Sequence, residues 1–411
     1  MKIRHIAAAG TAALMLLSVT ATSAHADYDG TATYGADASP DLAVGGGSDT
    51  TYKLMQALDA VYNAAPGCAN DVANTSANKG KCLVAQEATV PKKQNYDHDV
   101  MTEVYPTGSG AGIGSLTLLG GATQTTPAID YARSSRIPSA AELAIVSGFG
   151  YAQDGIAIVS PGGRASLNLT PQQIHDIWTC SITDWSAIGG VAGPITPWSM
   201  NTSSGTYNVF RDYIRVAAAD ALFDPNAGAC VRKASGPLGA NTVPPFENDL
   251  KQITEVSEGV DPIQSIWWGS YGELSTYSYK RANIYTGGVA APLDTMTYIA
   301  VNGATPGGGN ILANTYPIGR TLYHVTKKVD ADFTAGVTPN GSIDGGATGK
   351  SGAIREMTRF LCKNSNALFD KPDAYTGNGF RTQIVAVINA NGFQQTPGAL
   401  RTAGSACKIA H

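Results

Sequence analysis

Charge is scarce in this chain. Asp, Glu, Lys and Arg make up 15% of its 411 residues, where a soluble domain carries about a quarter. The balance is slightly acidic, with a formal net charge of −4. Without a basic excess or a Lys/Arg cluster, a nucleic-acid partner is excluded, because phosphate-backbone binding rests on grouped cations. A small anion held in a cleft by oriented backbone dipoles is not excluded, since that field is local. Histidine is sparse too: beyond the N-terminal segment only His98, His175, His324 and His411 remain, none in a nucleophile-elbow or zincin pattern. No two cysteines stand at CxxC spacing, which removes the common structural zinc sites. No apolar run after the first residues is long enough to span a membrane, and no repeat recurs.

What is present starts with the N-terminus. Lys2, Arg4 and His5 form a basic region, Ile6 to Ala21 an apolar stretch, and Ala24-His25-Ala26 a small-x-small cleavage site. This is the pattern of a secretory signal peptide over residues 1–26, so the mature chain is expected to begin at Asp27. Cleavage would remove Lys2 and Arg4 and move the net charge from −4 to −6. The first cysteine is Cys68, so no lipoprotein anchor is expected, and the protein should be soluble in the periplasm or outside the cell. All six cysteines (Cys68, Cys82, Cys180, Cys230, Cys362 and Cys407) lie in the exported part, where an even number reads as disulfides. Six cysteines allow fifteen pairings and the sequence does not decide among them; the expectation taken is the set that keeps each bridge local, Cys68–Cys82, Cys180–Cys230 and Cys362–Cys407.

About 385 mature residues exceed the size at which one core usually stops growing, so two domains are expected. Residues 27–41 are Gly/Ala/Thr-rich and aperiodic, a flexible leader. Leu42-Ala43-Val44 predicts a buried strand, and Leu54, Leu58, Val61 and Tyr62 recur at helical spacing, with Asp49 or Thr50 as cap. Thr102 to Tyr105 predicts a strand, Ile113, Leu116 and Leu119 a helix, and Ala128 to Ala132 and Gly155 to Val159 further strands. Leu169 to Trp185 reads as helix and turn, with Thr170 as N-cap and Pro171 in the first helical position. Val209, Phe210, Tyr213, Ile214 and Ala217 give an amphipathic helix. Strands are expected at Ile263 to Tyr271 and Tyr298 to Val301, and helices at Arg355 to Cys362 and Thr382 to Asn391. Strands alternating with helices predict an α/β architecture with mainly parallel sheets.

Three hydroxyl-and-glycine segments stand directly before helices: Gly47-Ser48-Asp49-Thr50-Thr51, Gly108-Ser109-Gly110-Ala111-Gly112 and Ser203-Ser204-Gly205-Thr206. A helix N-terminus presents unpaired N–H groups and partial positive charge, and Ser or Thr hydroxyls add donors without adding charge. Singly, each segment reads as an ordinary cap. Together they suggest a grip on something anionic.

Other motifs give less. Asp344 to Ser351 ends like a Walker A loop, yet Asp344 holds the first glycine position and no strand precedes it, so a surface loop is the better reading. Asp97-His98-Asp99 sits beside Lys92, Lys93 and Asn95 and reads as a solvated loop rather than a metal site. Trp267-Trp268 has the composition of a sugar-stacking pair, but packing aromatics are the plainer reading.

The order of these segments resembles the phosphate-binding proteins of the bacterial high-affinity phosphate ABC transporter, within the type II periplasmic binding-protein superfamily. The resemblance runs from about Val44 to Phe393. It includes Asp154-Gly155-Ile156-Ala157-Ile158, Leu169-Thr170 with Ile174 and Ile177, Ile182-Thr183-Asp184-Trp185, the run from Tyr316-Pro317-Ile318-Gly319-Arg320 to Tyr323, and Gly392-Phe393. It implies a two-lobed fold joined by two crossings, with residues 42–154 and 291–411 in the first lobe and 155–290 in the second. It also implies a monomer that binds its ligand between the lobes, needs no cofactor or metal, is no enzyme, and delivers to an ABC permease.

By position, Thr50 and Thr51 match the family's first hydroxyl contact, Ser109 and Gly110 the second, and Ser204, Gly205 and Thr206 the third. Two positions depart. The family's Asp, which accepts the proton of a protonated phosphate, falls on Ser135, and its Arg, four residues before the Ser-Gly-Thr serine, falls on Met200. Losing the carboxylate relaxes the rejection of fully ionised anions such as sulfate, because a buried carboxylate facing an anion with no proton to donate is heavily penalised. Losing the Arg removes a bidentate clamp. Arg133 and Arg136 flank Ser135 and are the candidates for the replacement charge, set against a reading of both as surface or hinge ion pairs. The function implied is a secreted solute-binding protein for a small tetrahedral oxyanion, inorganic phosphate first, with sulfate and organic phosphates as further ligands. The alternatives are a secreted paralogue acting in the envelope without transport, and an extracellular phosphohydrolase, for which the sequence offers no convincing nucleophile or metal.

Overall fold

The computed structural model describes residues 42–63, 84–87, 108–117, 129, 131–161, 164–233, 262–276, 296–327, 358, 361 and 380–395. The signal segment and leader, Cys68, Cys82, Cys362, Cys407, the strand expected at Thr102 to Tyr105, Asp97-His98-Asp99 and the Asp344 to Ser351 loop lie outside the described residues. So does most of the helix expected at Arg355 to Cys362.

In chain order the elements are β1 (Leu42–Gly47), α1 (Tyr52–Asn63), β2 (Val84–Glu87), α2 (Ser109–Thr117), β3 (Tyr131–Ser134), α3 (Ala140–Leu143), β4 (Val146–Ser160), β5 (Asn168–Leu169), α4 (Pro171–Trp178) and β6 (Thr196–Pro197). There follow α5 (Gly205–Ala217), β7 (Ser265–Ser270), β8 (Thr297–Val301), α6 (Gly308–Leu312), β9 (Gly319–Lys327), α7 (Phe380–Ala390) and β10 (Gln394–Gln395). The strands pair in the order β2-β1-β3-β9-β4-β7-β6, with β8 and β10 on β4 and β5 on β8.

β4 organises this α/β fold. Every residue in it except Gln153 is buried, as expected for a strand covered on both faces. Up to Gly155 it pairs with β9, and with β10 at Ala152 and Gln153; from Ile156 it pairs with β7 and β8. All four of these ladders are antiparallel, and so is β3 with β9. Parallel pairing is confined to β1 with β2 and β3, β5 with β8, and β6 with β7. The sheet is therefore mixed rather than mainly parallel, because the strands flanking the central β4 run back against it.

Two apolar cores lie along β4. Ile113, Leu116, Ile129, Ala132, Val146 and Val325 form one. The other starts at Ile156 and takes in α4, α5, β7 and β8. Trp267 and Trp268 are fully buried in it, and Trp268 stacks on Phe210 with ring centroids 4.3 Å apart. They are packing residues, each excluding on the order of 200 Å² from water. Partner strands change between Gly155 and Ile156. Val301, Ile311, Tyr316 and Ile318 pack into the Ile156 core.

Local chemistry accounts for the elements near the site. Thr170 accepts the Gln173 N–H and the Gln173 side chain returns to the Thr170 N–H, a reciprocal capping box, with Pro171 following. After α4, Cys180 is disulfide-bonded to Cys230, with Cα atoms 5.8 Å apart. Among the described residues no helix is long and apolar enough to cross a membrane.

Candidate functional site

The three hydroxyl-rich helix starts meet. α1 begins after a loop in which Thr50 and Thr51 are both buried. Tyr52 N–H donates to the Asp49 carbonyl and Met55 N–H to that of Thr51, which starts the helix. α2 begins at Ser109, whose hydroxyl accepts the Ser135 N–H at 2.9 Å and lies 3.2 Å from the Ser135 hydroxyl. α5 is capped by Ser204, whose hydroxyl accepts the Thr206 N–H at 3.1 Å. The Thr206 and Thr50 hydroxyls are 3.4 Å apart, so α5, from the Ile156 core, touches α1 from the other side.

Glycine makes this approach possible. A Cβ on Gly205 would stand 2.6 Å from the Ser109 hydroxyl and closer still to that of Ser135. Gly108, at φ +89°, likewise lets its backbone abut the Ser203 carbonyl. The expected residues Thr50, Ser109, Ser135, Gly205 and Thr206 are thus brought together, with Ser204 holding the helix start. Gly110 is close by: a Cβ there would lie 3.7 Å from Arg136 Nη2 and 4.0 Å from the Ser203 carbonyl.

The two arginines expected to supply charge have other attachments. Arg133 is buried, and its Nε donates to the Ser48 carbonyl at 2.9 Å and its Nη2 to that of Gly47 at 3.4 Å. Its guanidinium carbon lies 5.2 Å from the Tyr52 ring centroid. It braces the loop before α1 from behind. Arg136 makes a two-pronged pair with Glu142, Nη1 to Oε2 at 2.8 Å and Nη2 to Oε1 at 2.7 Å. That pairing, with the Ser139 N–H, outweighs partial burial and holds the Glu142 carboxyl below the usual carboxylate value. Met200 is fully buried in the Ile156 core, its backbone held by Asn226.

One residue at the cluster was singled out from the sequence only as a landmark. Arg320, near the start of β9, is 8% exposed and faces Asp154 directly across the β4–β9 ladder. Its Nε and Nη2 both donate to Asp154 Oδ2, at 2.9 and 2.7 Å. Its Nη1 donates to the Thr206 hydroxyl, and to the Ser135 carbonyl at 3.4 Å; Nη2 stands 3.5 Å from the Thr50 hydroxyl. Asp154 also accepts the Gly272 N–H on Oδ1 at 3.1 Å. Burial pushes the Asp154 carboxyl above the ordinary carboxylate value, while the Arg320 guanidinium and the Gly272 N–H pull it back.

Chemically, the cluster offers hydroxyls, helix-start amides and one edge of a guanidinium in a buried place. Such donors stabilise negative charge without a metal. Among the described residues no group of three His, Cys, Asp or Glu side chains could hold a metal ion.

A family model described as a PBP superfamily domain matches residues 32–337. The chain belongs to the PBP superfamily. Of the solved structures similar to this PBP-superfamily chain, one is described as a phosphate ABC transporter substrate-binding protein with bound phosphate, from Clostridium perfringens. It has a TM-score of 0.51 and 16% identity over 87% of this chain and 100% of that one. A phosphate-binding protein from Stenotrophomonas maltophilia has a TM-score of 0.46 and 14% identity, covering 89% of this chain and 93% of its own. An ABC-type phosphate transport receptor from Vibrio cholerae has a TM-score of 0.41 and 19% identity, covering 71% and 88%. At such identity the Clostridium perfringens likeness is one of fold. No match was found among the curated proteins.

Proposed function

We propose that this chain is a secreted solute-binding protein that captures a small tetrahedral oxyanion, inorganic phosphate first, for uptake through a membrane permease. The observation that carries the reading is the convergence of three helix starts at one buried point. Thr50 and Thr206 lie 3.4 Å apart, Ser109 and Ser135 3.2 Å apart, and Gly205 lies against the latter pair. Three helix N-termini pointing together make a site for negative charge, and hydroxyls that can both donate and accept suit an oxyanion of either protonation state. The Clostridium perfringens structure, described as holding phosphate, supports the ligand class. Contacts drawn from both ends of β4 suit a hinge that closes on the ligand.

Thermal unfolding of the protein in phosphate, sulfate, nitrate and chloride at matched ionic strength tests the reading. Phosphate should raise Tm above the chloride value through linkage to the folded state. A Tm that no tetrahedral anion raises would contradict it.

A further inference from the structure

We infer that Arg320 is the cation of the anion site, supplied from β9 because position 200, four residues before Ser204, is a methionine. This deepens, and rests on, the oxyanion-binding reading. A guanidinium buried to this degree must be paired and hydrogen-bonded, and Asp154 satisfies only part of it. The Nε side and Nη2 go to Asp154 Oδ2, while Nη1 is turned onto the Thr206 hydroxyl and Nη2 also approaches that of Thr50. A purely structural tie between β4 and β9 would need the Asp154 edge alone. The other edge lies against the Thr206 hydroxyl of α5, the Thr50 hydroxyl of the loop before α1 and the Ser135 carbonyl, beside the place where an anion held by those hydroxyls would sit. Arg133 is bonded to the Ser48 and Gly47 carbonyls, Arg136 to Glu142, and position 200 is a core methionine.

Position in the fold strengthens the assignment. Asp154 and Arg320 are opposite one another at the turnover of β4 pairing from β9 to β7 and β8. A charge at that point reaches residues packed in either core without either having to move far. Asp154 acts as the positioning residue: its carboxylate fixes the guanidinium plane and, with the Gly272 N–H, keeps the pair aligned. An anion would take the Nη1 edge in exchange for the Thr206 hydroxyl contact.

The test is calorimetric titration of phosphate into the wild-type protein and into Arg320→Met combined with Asp154→Asn, which avoids stranding a buried carboxylate. The double variant should bind on the order of 10- to 100-fold more weakly, the effect of losing hydrogen bonds from a charged donor. Its affinity should also depend less on salt concentration, a change that loss of a merely structural tie would not produce. If the double variant does not fold, Arg320→Lys decides, because it keeps the charge and loses the fork: tenfold weakening or more supports the assignment. Affinity within twofold of wild type in a folded variant overturns the role of Arg320 and leaves the binding function standing. A wild-type protein silent to phosphate and sulfate alike overturns both.

Discussion

Gly205 and its two flanking hydroxyls concentrate the local chemistry of the site. Gly205→Ala would drive a methyl against the Ser109 and Ser135 hydroxyls, so it should weaken phosphate binding at least tenfold, measured by titration, and lower stability by about 1–3 kcal/mol. Thr206→Ala removes one hydroxyl that receives an Arg320 donor. Its expected cost is about tenfold in affinity, the size of one hydrogen bond to a charged group. Ser204→Ala should weaken binding similarly and also lower stability by about 1 kcal/mol, because Ser204 caps α5. Thr50, Ser109 and the Ser204 segment were legible in the sequence because helix starts leave a local signature. The Arg320–Asp154 pair was not, since the two residues are distant in sequence and are set opposite one another by the β4–β9 register. Arg133 and Arg136, expected beside Ser135, donate to the carbonyls of the loop before α1 and to Glu142.

Helices proved easier to read than strands. α4 and α5 carry caps and apolar faces that a local rule detects, and the segment from Thr170 folds as expected. Only the downstream half of β4 was visible as an apolar run. Its upstream half, with Ser147, Gly148 and Gly150, is buried along its pairing with β9 rather than through an apolar composition of its own. The α4–α5 region is held by two ties beyond its core. Cys180–Cys230 closes a sequence separation of 50, worth about 4 kcal/mol in the chain-entropy account. The double variant Cys180→Ser with Cys230→Ser should lower Tm by several degrees, and an unchanged Tm would mean that this bridge contributes nothing. His175 bridges Asp176 at 2.9 Å and Asp220 at 3.1 Å. Burial opposes its charge, but the two carboxylates outweigh it and raise its pKa above 6.5. Its stabilising contribution is therefore complete below pH 6.5 and fades as pH rises through the folded value.

Across the whole molecule, two buried groups under the sheet set opposing pH limits. Burial pushes the Asp59 carboxyl from 3.8 up to about 8, against the pull of the Tyr131 hydroxyl and the Arg133 guanidinium. Between those values the folded protein keeps a proton that the unfolded chain has released, so this group makes stability fall as pH rises. Burial lowers His324 from 6.5 to about 3, and neither ring nitrogen has a hydrogen-bond partner among the described residues. In that window the unfolded chain takes a proton that the folded one refuses, so stability falls as pH drops. Denaturant unfolding across pH should accordingly show Asp59→Asn flattening the decline toward pH 8 and His324→Phe flattening the acid limb. Slopes unchanged from wild type would contradict these assignments. Both groups lie behind Arg133 and the loop that presents Thr50, so the stability of that side bears directly on the site.

The most direct measurement is calorimetric titration of the protein, after partial unfolding and dialysis to remove any bound anion, with phosphate and then sulfate. The account predicts one-to-one phosphate binding, with sulfate competing because a serine stands at position 135 where a carboxylate would reject it, and loss of the heat in Gly205→Ala at a temperature where that variant remains folded. Absence of heat from either anion, or full binding by Gly205→Ala, would contradict the claim that the three helix starts form the ligand site.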